Sequence, residues 1–190
     1  MKKKFTTPLD IMCHKVDYTG TPEGNCKYKG LGNAHTHGLG DYGKMDLCLG
    51  VDLDVKETQF ILNSVAELMC DPKENFNMSH GHIIYDNDNK ELFKFYIVPA
   101  FCCGEPSNLI VLADKHGIFP DKRGCDAPYC HQLNSHHEIE VLPTKNGQIN
   151  VDGMNKRQKN IFENAAKRCG FYRWKNYFMD RIEVKRWKQK

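Results

Sequence analysis

At Asp54 the apolar spacing of the chain switches period, and that switch limits the folds open to it. Before it, Met45, Leu47, Leu49, Val51 and Leu53 alternate. That is the pattern of a half-buried β-strand, whose successive side chains leave on opposite faces. After it, Phe60, Ile61, Val65, Leu68 and Met69 fall on one face of a helix. Asp54 is placed to cap that helix, Glu57 three residues on completes a capping box, and Asp71-Pro72 stops it. Strand signals continue on both sides. Gly81 to Tyr85 and Leu92 to Val98 form a hairpin pattern around Asp86-Asn87-Asp88-Asn89. The Asp-x-Asp start is similar to a calcium loop, but Glu91 stands where the loop's glycine belongs, so the segment is read as a turn. Leu109 to Ala113 is a short buried strand. Glu138–Leu142 and Gln148–Val151 flank Lys145-Asn146-Gly147 as a second hairpin. Asp152 is placed to cap a last helix reaching about Cys169, with Gly170 at its C-terminal end.

These elements make an α+β fold: a mostly antiparallel sheet, one helix inserted after the second strand, and a basic helical C-terminal extension. Two parts are expected. Residues 1–150 form the core, its first thirty residues an arm packed on the body, and residues 151–190 form a tail. A length of 190 residues suits one domain with an extension. No apolar run of about 18 residues exists to span a membrane. The basic start, Met1 to Pro8, leads into no apolar segment of a secretory signal. Nine cysteines, an odd number at irregular spacings, point to free thiols in a reducing, cytoplasmic setting rather than to a disulfide framework. Cys48 and Cys70 then act as small core hydrophobes.

Charge is unevenly spread. Lys156 to Lys190 holds twelve Lys/Arg and three acids, a net +9 on a body of net −6. Its cations, among them Arg157, Lys167, Arg173 and Arg181, are interleaved with Phe171, Tyr172, Trp174, Tyr177, Phe178 and Trp187. Cations for phosphates beside rings for bases are the ingredients of nucleic-acid binding. The same residues also describe a helix packed on its own acidic body.

Several groups can carry chemistry. On a strand, His35 and His37 of His35-Thr36-His37 share one face, where two imidazoles can hold a metal or an anion, while Thr36 points away and Gly38 lets the backbone turn. His80-Gly81-His82 repeats the spacing. Cys125, Asp126, Cys130, His131, His136 and His137 form the densest run of zinc-type ligands, although their spacing matches no established finger. Cys102-Cys103-Gly104-Glu105 closes a strand. Its adjacent thiols are either a nucleophile and its neighbour, given a nearby histidine, or one buried and one exposed thiol without chemistry. Asp41, Asp46, Glu105 and Asp114 are the candidate acids, none at a telling spacing from another. Gly30-Leu31-Gly32 and Gly38-Leu39-Gly40 lack the spacing of a nucleotide-binding glycine loop.

Three stretches occur in a telling order: Ala34-His35-Thr36-His37-Gly38-Leu39, then Ile61-Leu62-Asn63, then Asp114-Lys115-His116-Gly117-Ile118-Phe119-Pro120 followed by Gly124-Cys125-Asp126 and Gln132. Together they resemble a largely bacterial family of unknown function, numbered four-two-six-two, over roughly residues 30–133. Asp121 stands where that family often has Trp, and the tail lies outside the resemblance. The family has no established activity, so the resemblance implies a domain and not a reaction. The expectation is a pocket of His35, Thr36, His37 and Asp114 that binds a small anionic or nucleotide-like ligand. Hydrolysis would need zinc or another divalent metal, held by His35, His37, Cys125, Cys130, His131 and His136. A nucleic-acid or acidic-protein module working through the tail, and a zinc-stabilised interaction protein without catalysis, are the alternatives.

Overall fold

The computed structural model describes residues 12–16, 28–42, 44–71, 81–136, 138–145 and 148–164. Its strands are β1 (Met12–Val16), β2 (Leu31–His37), β3 (Leu47–Val51), β4 (His82–Tyr85), β5 (Glu91–Cys102), β6 (Glu105–Leu112), β7 (Ile139–Val141), β8 (Thr144–Lys145) and β9 (Gln148–Ile149). Helix α1 spans Val55–Cys70, and residues 156–164 form a second helix, α2. The main sheet runs β1-β2-β3-β6-β5-β4. Every pairing in it is antiparallel except β3 with β6, so the fold is α+β, as expected. Strand β5 is long enough to take two partners on one edge. Strand β4 lies along Glu91–Phe95 and β7 along Ala100–Cys102, while β6 fills the other edge.

Strand β3 corrects the half-buried reading, because all five of its residues are buried. Leu47 and Leu49 face α1. Cys48 and Gly50, small enough to pass for the polar side of an alternating strand, lie under the segment between β6 and β7 instead. A Cβ on Gly50 would come within 2.7 Å of His136 Nε2. Helix α1 begins as its sequence demands, with the Asp54 carboxylate accepting the Lys56 and Glu57 backbone N–H groups at 2.9 and 3.0 Å. Its buried face is Thr58, Ile61, Leu62, Val65, Ala66 and Met69. Phe60 is the exception to the expected stripe. It is 47% exposed and meets Phe93 edge-on.

The 86–90 segment is the expected turn: Asp86 Oδ1 accepts from the Asp88 and Lys90 N–H groups, and Asn89 takes φ 58°. The second hairpin is shorter than expected. Thr144–Lys145 pairs with Gln148–Ile149, and Ile139–Val141 joins the main sheet instead. Asn155, not Asp152, starts α2. Its Oδ1 accepts the Gln158 N–H at 2.9 Å, and Gln158 Oε1 accepts the Asn155 N–H at 3.1 Å, a reciprocal box. Asp152 lies in the 3-10 turn Val151–Gly153. Phe162 packs with Met45, Phe101, Leu142, Ile149 and Met154, so α2 shares a core with the end of β5. His80, His137, Asn146, Gly147, most of the first thirty residues and all residues beyond 164 lie outside the described residues. Among the described residues no helix is long and apolar enough to cross a membrane.

Candidate functional site

Alternation along β2 separates its side chains by function. Ala34 packs in the core under α1, and Thr36, two residues on, shares its face. Asn33, His35 and His37 take the opposite face. The two imidazole rings stand edge to face with centroids 4.9 Å apart, as the spacing predicts. Thr36 is thereby removed from the ligand set expected for it. Its hydroxyl donates to Asp46 Oδ1 at 3.0 Å and accepts the Leu47 N–H at 2.9 Å, which ties β2 to β3. Asp46 Oδ1 also accepts the Leu39 N–H. Burial raises the Asp46 carboxyl, and the Leu39 and Thr36 hydrogen bonds and the His37 and His35 rings only partly offset it.

The β5–β6 hairpin turns on two residues, Cys103 at φ 51° and Gly104 at φ 76°. Both angles are left-handed, as a type I′ turn requires. Asn or Gly is the usual occupant of the first position; Cys103 holds it against the steric cost of a Cβ there. Its N–H donates to the Glu138 carbonyl at 3.1 Å, and Glu138 is itself left-handed at φ 62°. In a flat sheet β2 and β5 would lie three strand spacings apart, about 14 Å. Here side chains from the two strands meet across that span. The ligand atoms of His35, Cys102 and Cys103 all come within 4.8 Å of one another. The two Sγ atoms are 3.9 Å apart, close to the ~3.8 Å expected between sulfurs bound at ~2.3 Å to one tetrahedral zinc. His35, Cys102 and Cys103 can therefore hold a metal ion.

The buried Asn33 amide joins all three. Its Oδ1 accepts from Cys102 Sγ at 3.2 Å and lies 3.1 Å from His35 Nδ1, and its Nδ2 donates to Cys103 Sγ at 3.6 Å. A hydrogen bond with Cys48 and burial push the Cys102 thiol far up, with His35 a smaller opposing influence. Burial, Cys102 and Glu138 push Cys103 up to about 12. Two crowded thiols of this kind are protonated at neutral pH, and a cation is the partner that would draw off both protons.

The other expected ligands are placed elsewhere. Asp114 lies past the far end of β6 from the hairpin. Its carboxylate accepts the His116, Ile118 and Asp126 N–H groups at 2.9, 2.9 and 2.8 Å. Burial raises that carboxyl, but the three donors and the nearby His116 outweigh it and hold Asp114 below the ordinary range. Asp114 thus clamps a loop and is not brought to His35 and His37. Cys125, pushed up to about 11 by burial and by Asp114 and Cys130, lies on that same loop. His131 stacks on Tyr28 at 4.1 Å, and both His136 ring nitrogens face carbonyl oxygens, Asn134 at 2.6 Å and Gly50 at 3.0 Å. Among the described residues, Cys125, Cys130, His131 and His136 do not assemble three ligand atoms. His82 stacks on Phe95 at 5.3 Å, and Phe95 belongs to the core under α1, on the other face of the sheet.

Sequence reasoning named His35 and the Cys102-Cys103 pair separately and missed Asn33 and Glu138. The signal that could have found Asn33 was its period-two spacing from His35 on one strand face. Comparison of the chain with protein-family models, with curated proteins and with solved structures finds no match.

Proposed function

We propose that the chain holds a thiophilic divalent ion, zinc in class, on Cys102, Cys103 and His35, and presents it to a small anionic ligand that enters beside His37. The observation that supports this is the approach of three soft and borderline ligand atoms to within 4.8 Å of one another, contributed by two strands distant in sequence. Thiolate and imidazole donors favour zinc-like ions over magnesium or calcium. Three protein ligands are the number that leaves a tetrahedral ion one position for water or substrate. A zinc-class ion lowers the pKa of bound water towards neutrality, which makes hydrolysis of an anionic or nucleotide-like ester the enzymatic form of this reading. Cys102 and His35 lie on the buried side of the site, and Cys103 and His37 are exposed, so the ligand approaches along the Cys103–His37 edge.

The test is native mass spectrometry of the chain, as purified and after incubation with zinc chloride, paired with elemental analysis. One ion per chain is expected, lost in the Cys102→Ser/Cys103→Ser double variant. A bare mass after reconstitution would remove the reading. Two thiol protons must leave, so zinc affinity rises with pH across the neutral range. Turnover of a chromogenic phosphoester by the zinc form, weakened in His37→Ala, would separate an enzyme from a binding protein.

A further inference from the structure

Asn33 is only 2% exposed, and its one amide reaches all three residues of the centre. A buried amide is tolerated when its hydrogen-bonding groups are satisfied, and here the partners include the ligands themselves. Nδ2 faces the Cys103 sulfur, so Oδ1 is the atom turned to Cys102 and to His35 Nδ1. A carbonyl oxygen only accepts, so a neutral His35 ring that donates to it carries its proton on Nδ1 and its lone pair on Nε2.

We propose that Asn33 is the positioning residue of the centre: its Oδ1 fixes the His35 tautomer so that Nε2 is offered to the metal, and its Nδ2 holds the Cys103 sulfur at the site. This deepens the metal-centre reading and rests on it. In the metal-free chain Oδ1 accepts from both the Cys102 thiol and the His35 ring. The chemistry asks for a short side chain with an acceptor and a donor on one planar group. Aspartate keeps the acceptor but loses the donor, and its charge would lie beside two thiolates. Alanine has neither.

The test combines nitrogen-15 imidazole spectra, with His35 assigned from a His35→Gln variant, and zinc affinity measured by competition with a chromophoric chelator. The wild-type chain is expected to show His35 protonated at Nδ1 when metal-free and zinc-bound through Nε2 when loaded. Asn33→Ala should lose the tautomer preference and bind zinc about 10–100-fold more weakly. Asn33→Asp, which preserves volume and covers the case in which alanine does not fold, should keep the Nδ1 proton yet still lose affinity. A merely structural asparagine would leave the tautomer unchanged in Asn33→Ala. Zinc bound through Nδ1, an Nε2-protonated ring in the wild type, or unchanged affinity in both variants would overturn the proposal. If the wild type binds no zinc while its ring tautomer still depends on Asn33, the metal-centre reading fails and the hold of Asn33 on His35 stands.

Discussion

Two regions of this chain are rich in histidine and cysteine, and they use those residues in opposite ways. The loop from Asp114 to His136 is the denser in sequence, yet Asp114, Gln132 and His136 commit their side chains to backbone. Asp114 gathers three N–H groups. Gln132 accepts the Leu112 N–H at 2.9 Å and donates to the Leu112 and Tyr129 carbonyls at 2.8 and 2.9 Å. His136 bridges two carbonyls. On the sheet and the turn that closes β5, the ladder and the Glu138 carbonyl satisfy the backbone, and His35, Cys102 and Cys103 are turned towards one another. Irregular chain must find partners for its own amides, and it draws them from nearby side chains. Regular chain leaves its side chains for other work. Ligand density along a sequence is therefore a poorer guide than the secondary structure that carries it.

The sharpest way to break this contrast is by metal stoichiometry. Cys102→Ser/Cys103→Ser is expected to take bound zinc from one per chain to none, while Cys125→Ser/Cys130→Ser leaves it at one; elemental analysis of both variants decides. The next effect is on stability. Gln132→Ala leaves two buried backbone groups of Leu112 without their partner, at about 1–3 kcal/mol each, read as a shift in the urea midpoint. Restoration of that loss by zinc would mean that the loop, too, is a metal site. A smaller effect is confined to acid. A carboxyl held below its ordinary value of 3.8 adds stability above that pH, and the gain is lost as pH falls through the lower value of the folded chain. Asp114→Asn should therefore destabilise the chain at neutral pH and converge on wild type in strong acid, as followed by unfolding at stepped pH. The smallest belongs to His131→Ala, which removes a ring stacked on Tyr28. It is expected to cost under about 1 kcal/mol and to leave zinc binding unchanged, by melting curve and elemental analysis.

Much of the fold was legible because its signals are local. Asp54 caps the helix that its spacing promised, Asp86 closes the turn, and His35 and His37 share a face because strands repeat every two residues. The errors were of two kinds. Asp152 gave way to Asn155 because two capping-type residues compete within four positions, and only Asn155 has a Gln three residues on to return the hydrogen bond. Cys48 and Gly50 concealed the burial of β3 because small residues read as neutral. The site itself was half legible. The thiol pair and the histidine each stood out, but what joins them is strand order and the three-dimensional path of the sheet, which no local period encodes.

Strand β7 gives the centre a neighbour that local sequence would not suggest. Ile139 pairs with Cys102 across the sheet, and the Glu138 carbonyl receives the N–H of Cys103. Beyond β7 the chain runs through Leu142, Ile149, Met154 and Phe162, all packed around Phe101, the residue before the thiol pair. The two sulfurs are thus spliced to the segment from Ile139 to Phe162. A partner that pulled on that segment, or a truncation that removed it, would loosen the thiol pair before it disturbed the helix on the other side of the sheet.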